Sequence, residues 1–319
     1  MKSISKFAGV LALAAVCQTG VAETKFPEPG KVVQLIYPFG AGGTDTLLRV
    51  FAQSMAEASG TKFVVVNREG ASGAIGAANV ARAEPNGYTL MVGPSIVLTN
   101  LPYTQKDLAY DFDSFDFVCQ LNVNALTVVV RKDSPYKTFQ ELVDAIRANP
   151  DKFNYGHSGT YTDFHLNMLQ LQQQAGLTLQ DIAYRGDAPN LVAMLGGNLD
   201  FTVNSVVSVA QRPDVRPLAV FWDRRHPALP DTPAVSELGY NAFFTGFQGV
   251  FAPKGTPKPV LQKLSSLCKT ASESESYQKA AAAQGTVVSY LDSESFAKAT
   301  RESYEAKGKL FKELGVKPQ

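Results

Sequence analysis

The 319-residue sequence contains few of the side chains that commonly bind metals or transfer protons, with three histidines and three cysteines. Their positions form no group with the close spacing of a metal site. The 30 lysines and arginines nearly balance the 29 aspartates and glutamates, and there is no basic run. A balanced charge of this kind gives no reason to expect nucleic-acid binding. The sequence therefore predicts no metal, no cofactor and no nucleic-acid partner.

Apolar runs long enough to span a bilayer are also missing. Near the first residue, two lysines lie beside the apolar stretch 7–16, which is too short to span, and small residues follow it. This pattern predicts a secretory signal peptide, residues 1–22, that is cleaved after Ala22. An uncleaved N-terminal anchor is the alternative. Cys17 gives only a weak lipoprotein signal, because a valine rather than a small residue precedes it.

Export would place a chain without a membrane span in the periplasm, which is an oxidising compartment. Cleavage removes two of the 30 basic residues and none of the 29 acidic residues, so the exported chain has a net charge of −1. Cys119 and Cys268 remain in that chain. They could either form a disulfide or stay as two separate buried thiols.

Segments with strand and helix patterns alternate along the chain. Strand patterns at 32–40, 63–68 and 88–93 are separated by segments with helical spacing, which predicts a parallel α/β unit. A second such unit follows residue 125, and a strand at 247–255 then leads into terminal helices. We predict an α/β fold of two lobes, each a mostly parallel sheet flanked by helices, with a ligand cleft between them. The predicted limits are the signal peptide at 1–22, a first lobe at 23–124, a second lobe at 125–246, and a return to the first lobe at 247–319.

The first predicted strand ends in a glycine-rich turn, GAGGTD at 40–45. Glycines at a helix start let the backbone approach a ligand, and the free N–H groups there attract an anion. The motif is not a dinucleotide fingerprint, because Asp45 occupies a position where that fingerprint requires glycine. A similar opening, GASGAIG, lies at 70–76. The alternative is an ordinary tight turn in which Thr44 or Asp45 caps the helix.

A second candidate turn, YGHSGTY at 155–161, admits two interpretations. One is a nucleophile elbow around Ser158, but the second residue after it is Thr160 and not the required glycine. No histidine can be assigned as the base that such a serine requires. A secreted serine hydrolase that uses Ser158 is therefore kept only as the alternative function. The preferred interpretation is a helix start whose hydroxyl and N–H groups hold an anion. The turn AYRGDAP at 183–189 opens another helix of the same lobe.

Many collinear stretches match one family and together cover nearly the whole predicted exported chain. They are YPFGAGGTD, VVNREGASGAIGAANVARAEPNGYTLMVG, YDFDSFDFV, NPDKFNYGHSGT, HLNMLQ, YRGDAPNLVAMLGGNLDF, RRHPALPDTPAVSELGY and APKGTP. On these motifs the sequence resembles the Bug-type periplasmic solute receptors of tripartite tricarboxylate transporters. The resemblance implies a two-lobe, type II-like periplasmic binding protein that is a monomer without catalytic activity. Such a receptor closes on a small organic carboxylate and delivers it to the membrane subunits of a transporter; a receptor for a signalling system is the alternative.

The resemblance places ligand contacts in the turn after the first strand and in the second lobe. The predicted ligand-binding residues are Phe39, Ala41, Gly42, Gly43, Thr44, Asp45, His157, Ser158, Gly159, Thr160, Tyr161, Thr162, Asp187 and Asn204.

Three departures from the family pattern bear on the ligand. Only Thr44 separates the paired glycines from Asp45, where the family usually has two residues, so a tighter turn is expected. His157 and Tyr161 bring larger polar side chains to a turn that usually reads Ser-x-Gly-x-Gly-Ser. Asp187 occupies a position that is commonly Ser or Gly, and its carboxylate would repel a tricarboxylate. We therefore expect a mono- or dicarboxylate, including one that carries a nitrogen or hydroxyl group; the alternative role of Asp187 is a plain helix cap.

Overall fold

The computed structural model describes residues 26–241 and 243–318, so the predicted signal peptide at 1–22 lies outside the described residues. The strands are β1 Val32–Tyr37, β2 Lys62–Asn67, β3 Thr89–Pro94, β4 Phe115–Asn124, β5 Leu126–Arg131, β6 Asn154–His157, β7 Gln180–Ala183, β8 Phe201–Ser205, β9 Val215–Phe221, β10 Gly246–Pro253 and β11 Val287–Leu291. The helices are α1 Gly43–Ser59, α2 Ala74–Ala81, α3 Ile96–Thr99, α4 Leu101–Thr104, α5 Phe139–Ala148, α6 Asp163–Ala175, α7 Asp187–Leu195, α8 Val206–Val209, α9 Lys258–Glu273, α10 Glu275–Ala283 and α11 Ser293–Glu313.

Helix α1 illustrates how local sequence sets these elements. Its residues Leu47, Leu48 and Phe51 are buried on one face at helical spacing, and they pack in the same core as β1 and β2. The helix ends at Gly60, which has a φ of 69° and donates its N–H to the carbonyl oxygen of Ala56 at 2.9 Å. This left-handed glycine cap ends the helix.

Two separate sheets form the centres of the two lobes. Their strand orders are β11-β4-β10-β3-β1-β2 in the first lobe and β7-β6-β8-β5-β9 in the second. The triplets β2-β1-β3 and β7-β6-β8 are parallel, whereas the other pairs are antiparallel. The predicted two-lobe α/β class is confirmed, but each sheet is mixed and not mostly parallel. The reason is that β4, β5 and β10, the strands on either side of the crossings between lobes, pair antiparallel with their neighbours.

The chain crosses between the lobes at two adjacent places. β4 ends at Asn124 in the first sheet, and β5 begins at Leu126 in the second sheet after a single intervening residue. The return strand β10 begins at Gly246, which pairs with Asn124. We therefore propose that the lobes hinge where these two crossings lie side by side, at the limits 124–125 and 246–247 predicted from the sequence.

A disulfide joins β4 to α9. Cys119 and Cys268 are bonded, both are fully buried in the core of the first lobe, and their separation in sequence is 149. Of the two possibilities that the sequence leaves open, paired cysteines or separate buried thiols, the structure has the pair. None of the helices in residues 26–241 and 243–318 combines the length and the apolar composition that a bilayer span requires.

Candidate functional site

A cavity of about 510 Å³ lies between the two lobes. One wall comes from the turn after β1 and from the end of β3, and the opposite wall comes from the turns before α6 and α7. The first residues of β10, at the crossing, also line it. This position, outside the carboxyl ends of parallel strands, is where open α/β sheets commonly bind ligands.

Five of the fourteen predicted ligand-binding residues line the cavity. They are Phe39, Thr44, Ser158, Thr162 and Asp187. Another five belong to the turns beside it, and these are Ala41, Gly42, Gly43, Gly159 and Thr160. The remaining four direct their side chains to partners inside the protein, and these are Asp45, His157, Tyr161 and Asn204.

The turn between β1 and α1 is held in shape by Asp45. Its carboxylate is buried and accepts hydrogen bonds from Arg49 at 3.0 and 3.2 Å and from Asn67 Nδ2 at 2.9 Å. Asn67 Nδ2 also donates to the carbonyl oxygen of Phe39 at 3.0 Å. Asp45 therefore stabilises the turn through buried hydrogen bonds and does not line the cavity. Gly42 stands at the N-cap without a side-chain cap, which leaves the first N–H groups of α1 without an intrahelical partner.

The turn before α6 is closed around the carbonyl oxygen of Gly159. This oxygen accepts the Thr162 hydroxyl at 2.7 Å and lies 2.9 Å from His157 Nδ1. Gly159 has a φ of 124°, a conformation that side chains other than glycine rarely adopt. Because the Thr162 hydroxyl is used in this bond, Thr162 stands at the N-cap of α6 without capping it, and Ser158 and Thr162 are left at the cavity wall.

Folding brings His157, His165 and Asp181 together, with one ligand atom of each within 4.8 Å of the others. Sequence spacing did not reveal this group. The two imidazoles are stacked with ring centroids 4.4 Å apart, and Asp181 lies 3.1 Å from His157 Nε2 and 3.7 Å from His165 Nε2. His165 Nδ1 accepts the backbone N–H of Tyr161 at 3.1 Å, so the neutral ring carries its proton on Nε2. A metal held by these three residues would need the lone pair of His165 Nε2, but this nitrogen carries the proton. The group is therefore a poor metal site.

Tyr161 connects the second lobe to the first. Its carbonyl oxygen accepts a hydrogen bond from Asn100 Nδ2 at 2.8 Å, and its ring packs edge-on against Phe311 of α11. Next to it, Asp163 pairs with Lys307 of α11 at 2.5 Å. Tyr161 thus contributes to the contact between lobes, and its ring is not part of the cavity wall.

Asp187, the first residue of α7, lies at the cavity wall and binds hydroxyl groups from three segments. Oδ1 accepts the Ser158 hydroxyl at 2.6 Å. Oδ2 accepts the Ser205 backbone N–H at 3.1 Å, the Ser208 hydroxyl at 3.1 Å and the Ser205 hydroxyl. Asn204 lies behind it, fully buried, and donates to the Asp187 carbonyl oxygen at 3.1 Å.

Three helix N-termini converge on the cavity. Thr44 in the first turn of α1, Thr162 at the N-cap of α6 and Gly186 at the N-cap of α7 all line it, and none of these helices has a side-chain cap. The N-terminus of a helix carries a partial positive charge and unpaired N–H groups. No lysine or arginine is among the described residues that line the cavity. The positive charge available to a ligand at this wall is therefore the partial charge of the backbone at the helix starts.

Several lining residues were missed by the sequence analysis. They include Tyr37, Ser95, Asn124, Asp163, Phe247 and Gln248. Most lie at the ends of β1, β3 and β4 or at the start of β10. Ser95 directly follows β3, and its place at the carboxyl end of a parallel strand is a signal that could have identified it as a lining residue. Burial raises the pKa of Tyr37, and a tyrosine hydroxyl can donate a hydrogen bond to a ligand. Gln248 Oε1 is buried without a hydrogen-bond partner.

Ser158 is not arranged as a nucleophile. It donates its hydroxyl proton to Asp187, and the ring nitrogens of the adjacent His157 face Gly159 and Asp181. A serine nucleophile needs a base that accepts its proton and is itself oriented by a third group. That arrangement is not formed around Ser158.

Comparison with known proteins assigns the family. The model for tripartite tricarboxylate transporter family receptors matches residues 47–316. A UPF0065 protein of Agrobacterium vitis is 34% identical over 293 residues, which cover 89% of this chain and 83% of that protein.

Solved structures agree with this assignment. The periplasmic binding protein BugD is 30% identical, with a TM-score of 0.74 over 92% of this chain and 100% of that one. Rpa4515 of R. palustris, solved with adipate, is 26% identical, with a TM-score of 0.77 over 91% of this chain and 99% of that one. The chain therefore belongs to the Bug-type receptors of the tripartite tricarboxylate transporter family, and it is a two-lobe solute-binding protein without enzymatic activity.

Proposed function

We propose that this receptor works in the periplasm, where it closes its lobes on a small organic carboxylate and delivers it to the membrane subunits of a transporter. The observation that carries the proposal is the convergence of three uncapped helix N-termini on a cavity without a cationic side chain. Each helix dipole favours an anion by about 0.3–1 kcal/mol, and backbone N–H groups add directed hydrogen bonds. A carboxylate matches this donor set in charge and in geometry.

The two walls would contribute differently to ligand capture. The turn at 40–45 would supply N–H groups of α1 from the first lobe, and the turn at 157–162 would supply backbone N–H groups at the start of α6 from the second lobe. A ligand that contacts both walls binds the closed arrangement more tightly than the open one. This difference in affinity shifts the protein toward the closed arrangement. The related receptor Rpa4515 was solved with adipate, a carboxylate, which supports this ligand class.

Secretion is the second part of the proposal. The predicted signal peptide at 1–22 would direct the chain to the periplasm, where family members such as BugD are found. The disulfide between Cys119 and Cys268 suits an oxidising compartment.

A thermal-shift screen of the chain from residue 23 against small carboxylates tests the proposal. A ligand at 100 times its dissociation constant should stabilise the folded protein by about 2.7 kcal/mol.

Calorimetry on two variants of Gly43, the first residue of α1, then tests the role of the helix. Gly43→Pro removes a backbone N–H at a position where helices accept proline, and Gly43→Ala retains that N–H as the matched control.

We expect Gly43→Pro to weaken carboxylate binding by about tenfold or more, because a hydrogen bond to a charged group is lost. Gly43→Ala should stay within about threefold of the original protein. Equal affinities of the two variants would show that α1 does not hold the ligand. The absence of any stabilising carboxylate would contradict the proposed function itself.

A further inference from the structure

The geometry points to Asp187 as the residue that selects the second functional group of the ligand. We propose that the cavity accepts an organic acid whose other polar end is a hydrogen-bond donor, an ammonium or a hydroxyl. We also propose that it discriminates against an ionised second carboxylate at that end. This inference rests on the proposed function and narrows its ligand class.

Asp187 occupies a set of donors that would otherwise suit a ligand carboxylate. Three serine hydroxyls and one backbone N–H point at its two oxygens, from the turn after β6, the end of β8 and α8. Hydroxyl and N–H donors arranged around one carboxylate form an anion-binding site. Here the protein fills that site with its own side chain, at the N-terminus of α7, where a negative charge is favoured.

The hydrogen-bond direction of Ser158 follows from this arrangement. A serine hydroxyl has one proton, and Ser158 donates it to Asp187 Oδ1 at 2.6 Å. Toward the cavity, Ser158 Oγ therefore offers lone pairs. Oδ1 accepts one of the two hydrogen bonds available to a carboxylate oxygen, whereas Oδ2 already accepts the N–H and the hydroxyl of Ser205 and lies 3.1 Å from the Ser208 hydroxyl, which also contacts the Ser205 carbonyl oxygen. The side chains of Ser158 and Asp187 therefore accept hydrogen bonds from a ligand and do not donate them.

The charge of Asp187 is not balanced by a cation among the described residues, because its partners are hydroxyls and an N–H group. The other acidic residue at the wall differs, since Asp163 is paired with the buried Lys307. An ionised ligand carboxylate next to Asp187 would face like charge, and neither Ser158 nor Asp187 has a side-chain proton to donate to it. An ammonium or hydroxyl there would meet two acceptors.

The two ends of the cavity are thus complementary to different groups. The N-terminus of α1 in the first lobe favours a carboxylate, and the pair Ser158 and Asp187 in the second lobe favours a donor. An ω-amino or ω-hydroxy carboxylic acid of suitable length has this polarity. A symmetric dicarboxylate does not have it.

Calorimetric titration with ligands of matched length tests the inference. The probes are succinate, glutarate and adipate, each compared with the ω-amino acid and the ω-hydroxy acid that have the same number of carbon atoms. The variants are Asp187→Ala, which frees the serine donors, and Asp187→Asn, which removes the charge but keeps the shape of the side chain. The asparagine variant serves as the test if the alanine variant does not fold. Asp133→Asn is the matched control, since it removes an acidic charge from an exposed position of the same lobe.

In the original protein, at least one amino or hydroxy acid should bind about tenfold or more tightly than the dicarboxylate of equal length. Asp187→Ala should reverse this ratio, Asp187→Asn should reduce it, and Asp133→Asn should leave it unchanged. A dicarboxylate that binds the original protein more tightly than every amino and hydroxy acid, or a ratio unaffected by both Asp187 variants, would overturn the inference and leave the receptor function standing. If no probe binds the folded protein, the proposed function fails and the inference fails with it.

Discussion

At the scale of single residues, burial determines the charge of His165. Burial lowers the pKa of His165 from 6.5 to about 4; the nearby His157 also lowers it, and Asp181 partly opposes the shift. The ring is stacked on His157, and its Nδ1 accepts the N–H of Tyr161. Between pH 6.5 and about 4 the unfolded chain binds a proton that the folded chain does not. The stabilisation is therefore complete above pH 6.5 and is lost as the pH falls.

We expect this residue to lower the free energy of unfolding by about 1–3 kcal/mol when the pH falls from about 7 to about 4.5. His165→Gln cannot titrate and keeps an acceptor for the Tyr161 N–H, so it should remove this part of the decrease. Urea unfolding at closely spaced pH values measures the effect. Burial also lowers the pKa of His226, and His226→Gln is therefore the control variant, which should retain the His165 contribution. The same decrease in His165→Gln as in the original protein would contradict the assignment.

The residue scale is also where the sequence was least informative about the site. The glycine-rich turns and the helix starts were visible as motifs, and Thr44, Ser158 and Asp187 do line the cavity. Side-chain direction was not visible. Asp45 could be placed in the turn, but its partner Asn67 lies 22 residues away, at the end of another strand. His157 meets Asp181 on the neighbouring strand, a contact that depends on the pairing of β6 with β7.

At the scale of elements, the disulfide fixes β4 against α9. Cys119 and Cys268 close a loop with a sequence separation of 149, and both lie in the core of the first lobe. A crosslink that closes a long loop reduces the conformational entropy of the unfolded chain.

We expect the double variant Cys119→Ala/Cys268→Ala to unfold with a free energy lower by about 2–4 kcal/mol. Urea unfolding with and without a reducing agent measures the contribution. Reduction should destabilise the original protein and leave the double variant unchanged, which separates loss of the crosslink from effects of the reagent. Equal stability of the oxidised and reduced original protein would mean that the crosslink does not constrain the unfolded chain.

The elements of the first α/β unit could be predicted because each has a local signal. Apolar runs coincide with the strands β1, β2 and β3, and helical spacing that ends at a glycine coincides with α1. β4 and β11 were not predicted as strands. Their pairing is antiparallel and long-range, since Val287 of β11 lies opposite Val123 of β4. With only five residues, β11 depends on this distant partner more than on its own residues.

At the scale of the whole molecule, a buried ion pair connects the lobes. Lys307 of α11 is fully buried, and its Nζ donates to Asp163 Oδ1 at 2.5 Å, to Asn100 Oδ1 at 2.9 Å and to Thr99 Oγ1 at 3.1 Å. Asp163 belongs to the second lobe, and the other three residues belong to the first. Burial lowers the pKa of Lys307, and the charge of Asp163 opposes this shift. The counter-charge of Lys307 is therefore supplied by a residue of the opposite lobe.

We expect Asp163→Asn to lower the free energy of unfolding by about 3–5 kcal/mol, because it leaves a buried ammonium without its counter-charge. The double variant Asp163→Asn/Lys307→Met should be more stable than Asp163→Asn alone, since an apolar side chain of similar length then replaces the unpaired charge. Urea unfolding of both single variants and the double variant measures the coupling between the two sites. If the double variant is no more stable than Asp163→Asn, the two charges do not act as a pair.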